Sequence, residues 1–367
     1  MNEKKLHDLR GKIERTDRAI ADLLDERAAL SLQIGKIKQE AGRGIYDPCQ
    51  EEAIYRNIAE NRAGTIPEHF LRNIYREIIS ASRALQAPVS VAYLGPAASF
   101  SHQAALMHFG GSIPAIPRTS IADVFDAVEK RENDWGIVPI ENSAEGSVKA
   151  TLDLLIATPL VIRAEVFLRI RLNLLSNCNE TADIHTIYSH PQALAQSQQW
   201  LRRRFPDVSL IEVESTAGAA RRAHDDPAGA AVGSALAAGA YNLKIAAGGI
   251  EDSPLNTTRF LVVGHKPDYP ENADIHRSKT SILFGTAHTA GALQRALAPF
   301  AAEGISLTRI ESWPMKERLW EYLFFADFAG HIAEEKTARC LKELKERAAF
   351  LKILGSYPAG AEVEKPS

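Results

Sequence analysis

The sequence predicts three folds in series: an all-α segment, a two-lobed α/β unit and a small α+β unit. Three observations predict it. Residues 2–40 hold no proline and carry Leu6, Leu9, Ile13, Ile20, Leu23, Leu24, Leu30, Ile34 and Ile37 close to a 3.6-residue period. After Ala87-Pro88 the pattern becomes short apolar runs alternating with helices, which is βαβ patterning. After a polar stretch at 266–277 bearing Pro267 and Pro270, it changes again to a βαββαβ order.

Bulk properties bound the function. The 367 residues are enough for two or three domains. A hydrophobic content of 45% and a charged content of 24% are those of a soluble globular chain. A net charge of -3 leaves no basic footprint for nucleic acid and no polybasic membrane patch. Cys49, Cys178 and Cys340 are few and far apart, with neither disulfide nor zinc spacing, which suits a reducing cytoplasm. No apolar h-region follows Lys4 and Lys5, so no signal peptide is expected. The run 228–250 is mostly Ala and Gly, is interrupted by Asn242 and Lys244, and reads as a buried strand and helix.

The first element is one long helix. About thirty-seven residues at 1.5 Å each span roughly 55 Å. A compact domain of about ninety residues is only about 30 Å across. The helix therefore outruns its domain, and a second copy of the chain is the simplest cover for its far end. Two more helices are expected at about 50–60 and 67–86. Arg27 and Lys38 return to nearly the same face about 16 Å apart, while Arg10 lies on another face about 25 Å from Arg27. Ser82 and Gln86 are i, i+4 neighbours.

Arg10, Arg27, Lys38, Asp47, Glu51, Ser82 and Gln86 stand at the spacing of the all-helical chorismate mutases, and residues 1–87 resemble that family. Leu9-Arg10-Gly11-Lys12-Ile13 and Gly35-Lys36-Ile37-Lys38 are similar to it too. The resemblance implies an intertwined homodimer in which Arg10 reaches the partner's site. The family often carries Arg where this chain has Gln50.

From 88 to 265 the order reads as strand 89–94, helix 100–109, strand 113–116, helix 120–131, strand 136–140 and helix 147–157. An apolar stretch at 160–175 follows, then strand 184–188, helix 191–204, strand 208–213, helix 216–225 and strands at 230–232 and 259–263. Two lobes with a cleft are expected. In Asn256-Thr257-Thr258-Arg259-Phe260 a loop enters a strand, with a hydroxyl beside a guanidinium. Ligands of open α/β sheets sit beyond the carboxyl ends of parallel strands, so this entry reaches them if its strand is antiparallel. Arg can clamp a carboxylate and Thr can supply a proton. The loops at 95–101, 139–146, 189–192 and 214–216 should face the same cleft, the first with helix-opening amides for an anion.

Pro139-Ile140-Glu141-Asn142-Ser143, Ser189-His190-Pro191-Gln192 and Thr258-Arg259-Phe260 resemble, in order and spacing, the signature blocks of prephenate dehydratase. The resemblance implies that Thr258 is the catalytic hydroxyl and that Glu141, Asn142, Ser189 and Gln196 line a periplasmic-binding-protein-like cleft; Ser143 and Arg259 are expected to bind substrate beside them, Arg259 through a carboxylate. Residues 278–357 resemble the ACT regulatory domain. There Gly291-Ala292-Leu293 and Glu311-Ser312 are expected to take phenylalanine at a dimer interface. The family's usual Arg is replaced by Trp313, removing a charge expected near that site. The tail after Pro358 is expected to be disordered.

The chemistry implied needs no cofactor and no metal. The first reaction is a unimolecular rearrangement that requires a folded dicarboxylate and donors on the breaking ether oxygen. Arg10 and Arg27 suit the carboxylates, Lys38 and Gln86 the ether oxygen, and Glu51 the ring hydroxyl. The second expels water and carbon dioxide, and the leaving hydroxide needs a proton in the transition state. Two rival readings are a dehydratase whose helical part only dimerises, and a two-lobed amino-acid sensor without chemistry.

Overall fold

The computed structural model describes residues 2–60, 64–266, 277–314 and 322–360. The helical domain consists of α1 (Asn2–Glu40), α2 (Pro48–Glu60) and α3 (Glu68–Gln86). Gly42, in the left-handed region at φ 65°, ends α1 with its amide on the Gln39 carbonyl. Helices α1 and α3 pack closely at Gly35, where a Cβ would lie 2.8 Å from Gln86 Cγ. Along the rest of α1 the apolar stripe has no cover: Ile13, Leu23 and Ile37 are 59%, 64% and 65% exposed.

The second domain has two lobes. Lobe one contains β1 (Val91–Leu94), α4 (Phe100–Phe109), β2 (Ala115–Arg118), α5 (Ile121–Glu129), β3 (Trp135–Asn142), β4 (Gly146–Ser147), α6 (Lys149–Ala157) and β5 (Val161–Arg169). Lobe two contains β6 (Asn173–Ser176), β7 (Thr186–Ser189), α7 (Pro191–Gln196), α8 (Gln198–Arg204), β8 (Ser209–Glu212), α9 (Thr216–Asp225), β9 (Gly229–Gly233), α10 (Ala235–Ala240) and β10 (Lys244–Gly248). Strand β11 (Thr257–Gly264) then returns to lobe one. The sheet orders are β2-β1-β3-β11-β5 and β10-β6-β9-β7-β8. The chain therefore crosses between lobes twice, and the two crossings are tied: Leu172 N donates to Glu251 Oε2 at 2.9 Å, and Ile170 N to Asn256 O at 2.8 Å.

Two local expectations need correction. The helix expected at 191–204 is broken at Ser197, whose buried hydroxyl donates to Ala193 O at 2.7 Å and competes with the helical ladder. The run 228–250 adds a second strand, β10, to the expected strand and helix. It forms an exposed sheet edge, where packing gives little apolar signal.

The third domain contains β12 (Ser278–Gly285), α11 (Ala292–Ala302), β13 (Leu307–Pro314), β14 (Tyr322–Ala329), α12 (Glu335–Arg347) and β15 (Phe350–Pro358). Its antiparallel sheet has the order β13-β14-β12-β15. One face carries the two helices. The other packs on the back of lobe one, where Leu283, Phe325, Leu354 and Tyr357 share a core with Ile140, Leu155, Ile162 and Leu261. The approach is close enough to require Gly355, since a Cβ there would stand 2.2 Å from Ile162 O. The expected linker falls mostly within 267–276, outside the described residues. Of the tail expected to be disordered, 361–367 lie outside them too, whereas Ala359 and Gly360 are held by hydrogen bonds from their amides to Arg277 O and Glu165. No helix among the described residues is long and apolar enough to cross a membrane.

Candidate active sites

The cleft site is built on β3 and β11. The two strands are antiparallel, with Thr258 opposite Asn142. The entry of β11 therefore does lie at the carboxyl end of β3. Asn142 Nδ2 donates to Thr258 Oγ1 at 2.8 Å and to Asn256 Oδ1 at 3.1 Å. Asn256 Nδ2 donates in turn to Gln196 Oε1 of lobe two at 2.8 Å. Thr258 Oγ1 thus accepts a hydrogen bond, and its own proton meets no acceptor among the described residues. Gln196 Nε2 is buried without a partner, a vacant donor facing the same network. Across the cleft mouth Ser234 Oγ donates to Ala98 O at 3.1 Å. Ser99 and Ser215 serve as helix caps, accepting from His102 N and Gly218 N.

Asn256 is the residue that sequence reasoning missed. It stands two positions before Thr258, and residues two apart in an extended segment share a face. The same alternation turns two of the expected site residues away from the cleft. Arg259 points away from the cleft, into the seam with the third domain. Its Nε donates to Glu165 at 2.8 Å, Nη1 to Asp327 at 2.5 Å and Nη2 to Tyr357 Oη at 3.1 Å. Its guanidinium nitrogens are so engaged and 6% of the residue is exposed, so the structure places Arg259 in the seam and not in the cleft. Glu141, its cross-strand neighbour, also faces back and lies 3.4 Å from Arg309 of β13.

Two further residues have other work. Ser189 is fully buried, and its hydroxyl donates to Val232 O at 2.7 Å inside lobe two. Ser143 clasps the loop before β11, donating to Leu255 O at 2.9 Å and accepting from Thr257 N at 3.0 Å.

The seam behind the cleft is densely charged. Glu165 also accepts from Lys279 Nζ at 2.7 Å and from Gly360 N at 2.9 Å. Ser281 Oγ donates to Asp327 at 2.6 Å and lies 2.6 Å from Tyr357 Oη. Burial pushes the Tyr357 hydroxyl well above its usual range. Lys352 Nζ caps the end of α6, reaching the carbonyls of Leu155, Ile156 and Thr158, and burial lowers its ordinary ammonium range.

In the helical domain Arg27 Nη1 donates to Ser82 Oγ at 2.6 Å, and Ser82 donates to Ile78 O at 2.9 Å. Gln86 Nε2 donates to Ser31 at 2.6 Å. Lys38 Nζ reaches Ile45 O at 3.2 Å, and Asp47 Oδ1 accepts from Gln50 N at 3.0 Å. Burial raises the Glu51 carboxyl, while Arg83 and Lys38 pull it back down. These groups gather on facing sides of α1, α2 and α3. Arg10 does not join them, being exposed far along α1.

In the third domain Gly291, Ala292 and Leu293 line a cavity of about 230 Å³ with His288, Tyr322 and Phe324. Gly291 sits in the left-handed region at φ 74°, which lets the chain turn tightly into α11. Alternation along β13 separates the expected pair. Ser312 faces outward at the sheet edge, whereas Glu311 faces lobe one, accepting from Ser147 Oγ at 2.6 Å and from Arg309. Trp313 also faces lobe one, its indole donating to Asp153 at 2.9 Å, so its side chain docks the domains. Among the described residues, no three His, Cys, Asp or Glu side chains are grouped so as to hold a metal ion.

Comparisons with known proteins follow the same division. Three family models match: chorismate mutase type II over residues 9–87, prephenate dehydratase over 91–268 and the ACT domain over 280–346. A bifunctional chorismate mutase/prephenate dehydratase of Aquifex aeolicus is 46% identical over 357 residues, 96% of this chain and 98% of its own length. Among solved structures, a quorum quenching acylase called GqqA is 30% identical with a TM-score of 0.68, covering 73% of this chain and 97% of its own. A prephenate dehydratase from Arthrobacter aurescens in complex with L-Phe is 33% identical with a TM-score of 0.67, covering 74% of this chain and 90% of its own.

Proposed function

Since the chain belongs to the bifunctional chorismate mutase/prephenate dehydratases, we propose how its residues divide the two reactions it carries out. It rearranges chorismate to prephenate and converts prephenate to phenylpyruvate by decarboxylative dehydration. We assign the first reaction to residues 1–87, the second to 88–265 and regulation to 278–357.

The observation that carries the second assignment is the Asn142–Thr258 pair at the cleft. Breaking the bond to the ring carboxylate releases carbon dioxide and leaves its electron pair to form the aromatic ring. The existing ring becomes aromatic as the C–OH bond breaks, and Thr258 donates its proton so that the group leaves as water. The Asn142 amide, 2.8 Å from Thr258 Oγ1, stabilises the charge that develops there. The proton returns from solvent through the cleft. Asn256 and Gln196 tie this pair to lobe two, so lobe closure and proton donation are coupled.

In the helical domain Arg27 takes a carboxylate, Lys38 and Gln86 the ether oxygen, and Glu51 the ring hydroxyl, with Asp47 and Ser82 orienting them. The second carboxylate falls to Arg10 of a second copy. The exposed stripe of α1 supports this homodimer, because burying it requires a partner. L-Phenylalanine, the ligand of the Arthrobacter aurescens protein, fits the cavity at Gly291–Leu293 as an effector. The outward Ser312 and the free edge of β13 suit a partner's strand beside it. A cytoplasmic site of action follows from this biosynthetic role. The test is an assay fed with chorismate, following its loss and then phenylpyruvate, with and without phenylalanine. Loss of chorismate without phenylpyruvate in the intact protein contradicts the dehydratase assignment.

A further inference from the structure

Arg83 follows Ser82 in α3 and so points about 100° away from it around the helix. That direction leads off the mutase groove toward α2 and α4. The side chain is buried, with 3% of the residue exposed. Its Nε lies 3.4 Å from Glu51 Oε1, an ion-pair contact. Its Nη2 donates to the carbonyl of Phe109, a dehydratase residue, at 3.3 Å. The guanidinium carbon stands 5.6 Å from the Tyr46 ring centre and 5.4 Å from that of Phe109. Arg83 Nε and Nη1 are buried with no hydrogen-bond acceptor, so the nearest anion, Glu51, is the group that justifies burying this cation.

Tyr46 continues the same wall. It is 3% exposed, its hydroxyl shares a 2.6 Å hydrogen bond with His108 Nε2, and its ring lies 5.0 Å from that of Trp135. The loop it anchors carries Asp47 and the Ile45 carbonyl that accepts from Lys38. Lys38, Asp47 and Glu51 are therefore all attached to a surface made by His108, Phe109 and Trp135 of lobe one.

We propose that Arg83 is a positioning residue for the mutase, fixing the Glu51 carboxylate from the dehydratase side while Tyr46 anchors the neighbouring loop. The second domain thus backs the wall of the first site, through Phe109 behind Arg83 and His108 behind Tyr46. The inference rests on the reading that Glu51, as a carboxylate, accepts from the ring hydroxyl of chorismate. Every charged group facing Glu51 bears on its ionisation. Burial raises it, and so do Asp47 at the start of α2 and Glu52 beside it. Arg83 from α3 and Lys38 from α1 lower it. Tyr55, one turn on in α2, is itself held up at about 12, chiefly by burial and then by Glu51. Arg72 is spent on Glu52 at 2.7 Å. His108 is pushed down to about 3 by burial and by Arg83 and Arg72, so it stays neutral and adds no competing cation. Gln50, where the family often has Arg, is exposed.

The test uses full-length Arg83→Met and Arg83→Lys, with mutase kcat/KM measured against pH. Removing the nearest cation raises the Glu51 pKa. Activity that needs the carboxylate is lost as pH falls, so the acid limb should move up by about 1–3 units. Arg83→Lys, which keeps the charge, should restore most of the wild-type profile. Dehydratase turnover of added prephenate should stay within about twofold in both variants and serves as the folding control. An acid limb for Arg83→Met that coincides with wild type overturns the proposal. So does a Lys variant shifted as far as the Met one. Should Arg83→Met fail to fold, Tyr46→Phe removes only the phenol oxygen and should raise the chorismate KM by about 2- to 10-fold. An unchanged KM there overturns the anchoring. Wild-type protein that leaves chorismate untouched sinks the reading of the first site itself, an outcome distinct from unshifted variants of an active enzyme.

Discussion

Replacing Asp327 by Ala should loosen the third domain from lobe one. Asp327 accepts from Arg259 Nη1 at 2.5 Å and from Ser281 Oγ at 2.6 Å, and it is buried. Its removal leaves a buried guanidinium with one carboxylate, Glu165, which it shares with Lys279. Breaking a buried pair from one side costs about 3–5 kcal/mol, and the surviving Glu165 places this case near 3. The apolar seam of Leu283, Phe325, Leu354 and Ile162 remains, so the domain should stay docked but open more often. At about 1.4 kcal/mol per factor of ten, opening becomes roughly 100-fold more frequent. Amide hydrogen exchange reads this directly. Protection in β14 and β15 should fall by that factor while β1 and β3 stay near wild type. Replacing both partners by apolar residues, Arg259→Met with Asp327→Leu, should recover much of the loss. Exchange in β14 and β15 within about threefold of wild type would rule out this role for Asp327 and leave the apolar seam as the whole attachment. A large rise in prephenate KM for Arg259→Lys without any change in exchange would return Arg259 to a substrate-binding role.

The proposed sharing of the mutase site between two copies predicts complementation. Arg10→Ala and Lys38→Ala homodimers should each be nearly inactive, and equal amounts refolded together should recover roughly a quarter of wild-type mutase activity through the intact site of mixed dimers. No gain over the average of the homodimers contradicts it. Gly291→Ala should weaken phenylalanine by about 5- to 10-fold in calorimetry, because its left-handed φ penalises a Cβ by about 1 kcal/mol. Equal affinity would remove that turn from the site. Trp313→Phe should cost about 1 kcal/mol of stability through the lost bond to Asp153 and leave phenylalanine affinity within about twofold, and a tenfold change in affinity would put Trp313 in the ligand site.

Much of this was legible because each layer has its own period. The apolar repeat of α1, the switch at Pro88 and the βαββαβ order each mark one domain. The strand entry at Thr258 was readable from a loop running into an apolar stretch. Side-chain direction was not read so well. Thr258 and Arg259 are adjacent in sequence but lie on opposite faces of β11, and the same holds for Asn142 beside Glu141. Strand alternation makes that separation calculable, yet a motif read as a block hides it. Asn256 lacked any motif and could be found only by counting back two positions. Arg83 and Tyr46 were less accessible still. Their partners, Phe109, His108 and Trp135, come from another domain, and no local pattern announces a contact across that distance in sequence.

In the proposed division of labour, two separate sites on one chain act in sequence, with Thr258 supplying the proton for the second. Thr258→Val keeps the shape of the side chain and removes its hydroxyl, leaving Asn142 Nδ2 its bond to Asn256. Fed with chorismate, this variant should consume it at the wild-type rate and accumulate prephenate. Phenylpyruvate formation should fall by about 10²–10⁴. Phenylpyruvate released within about threefold of the wild-type rate would contradict the account, and so would failure of the folded variant to consume chorismate.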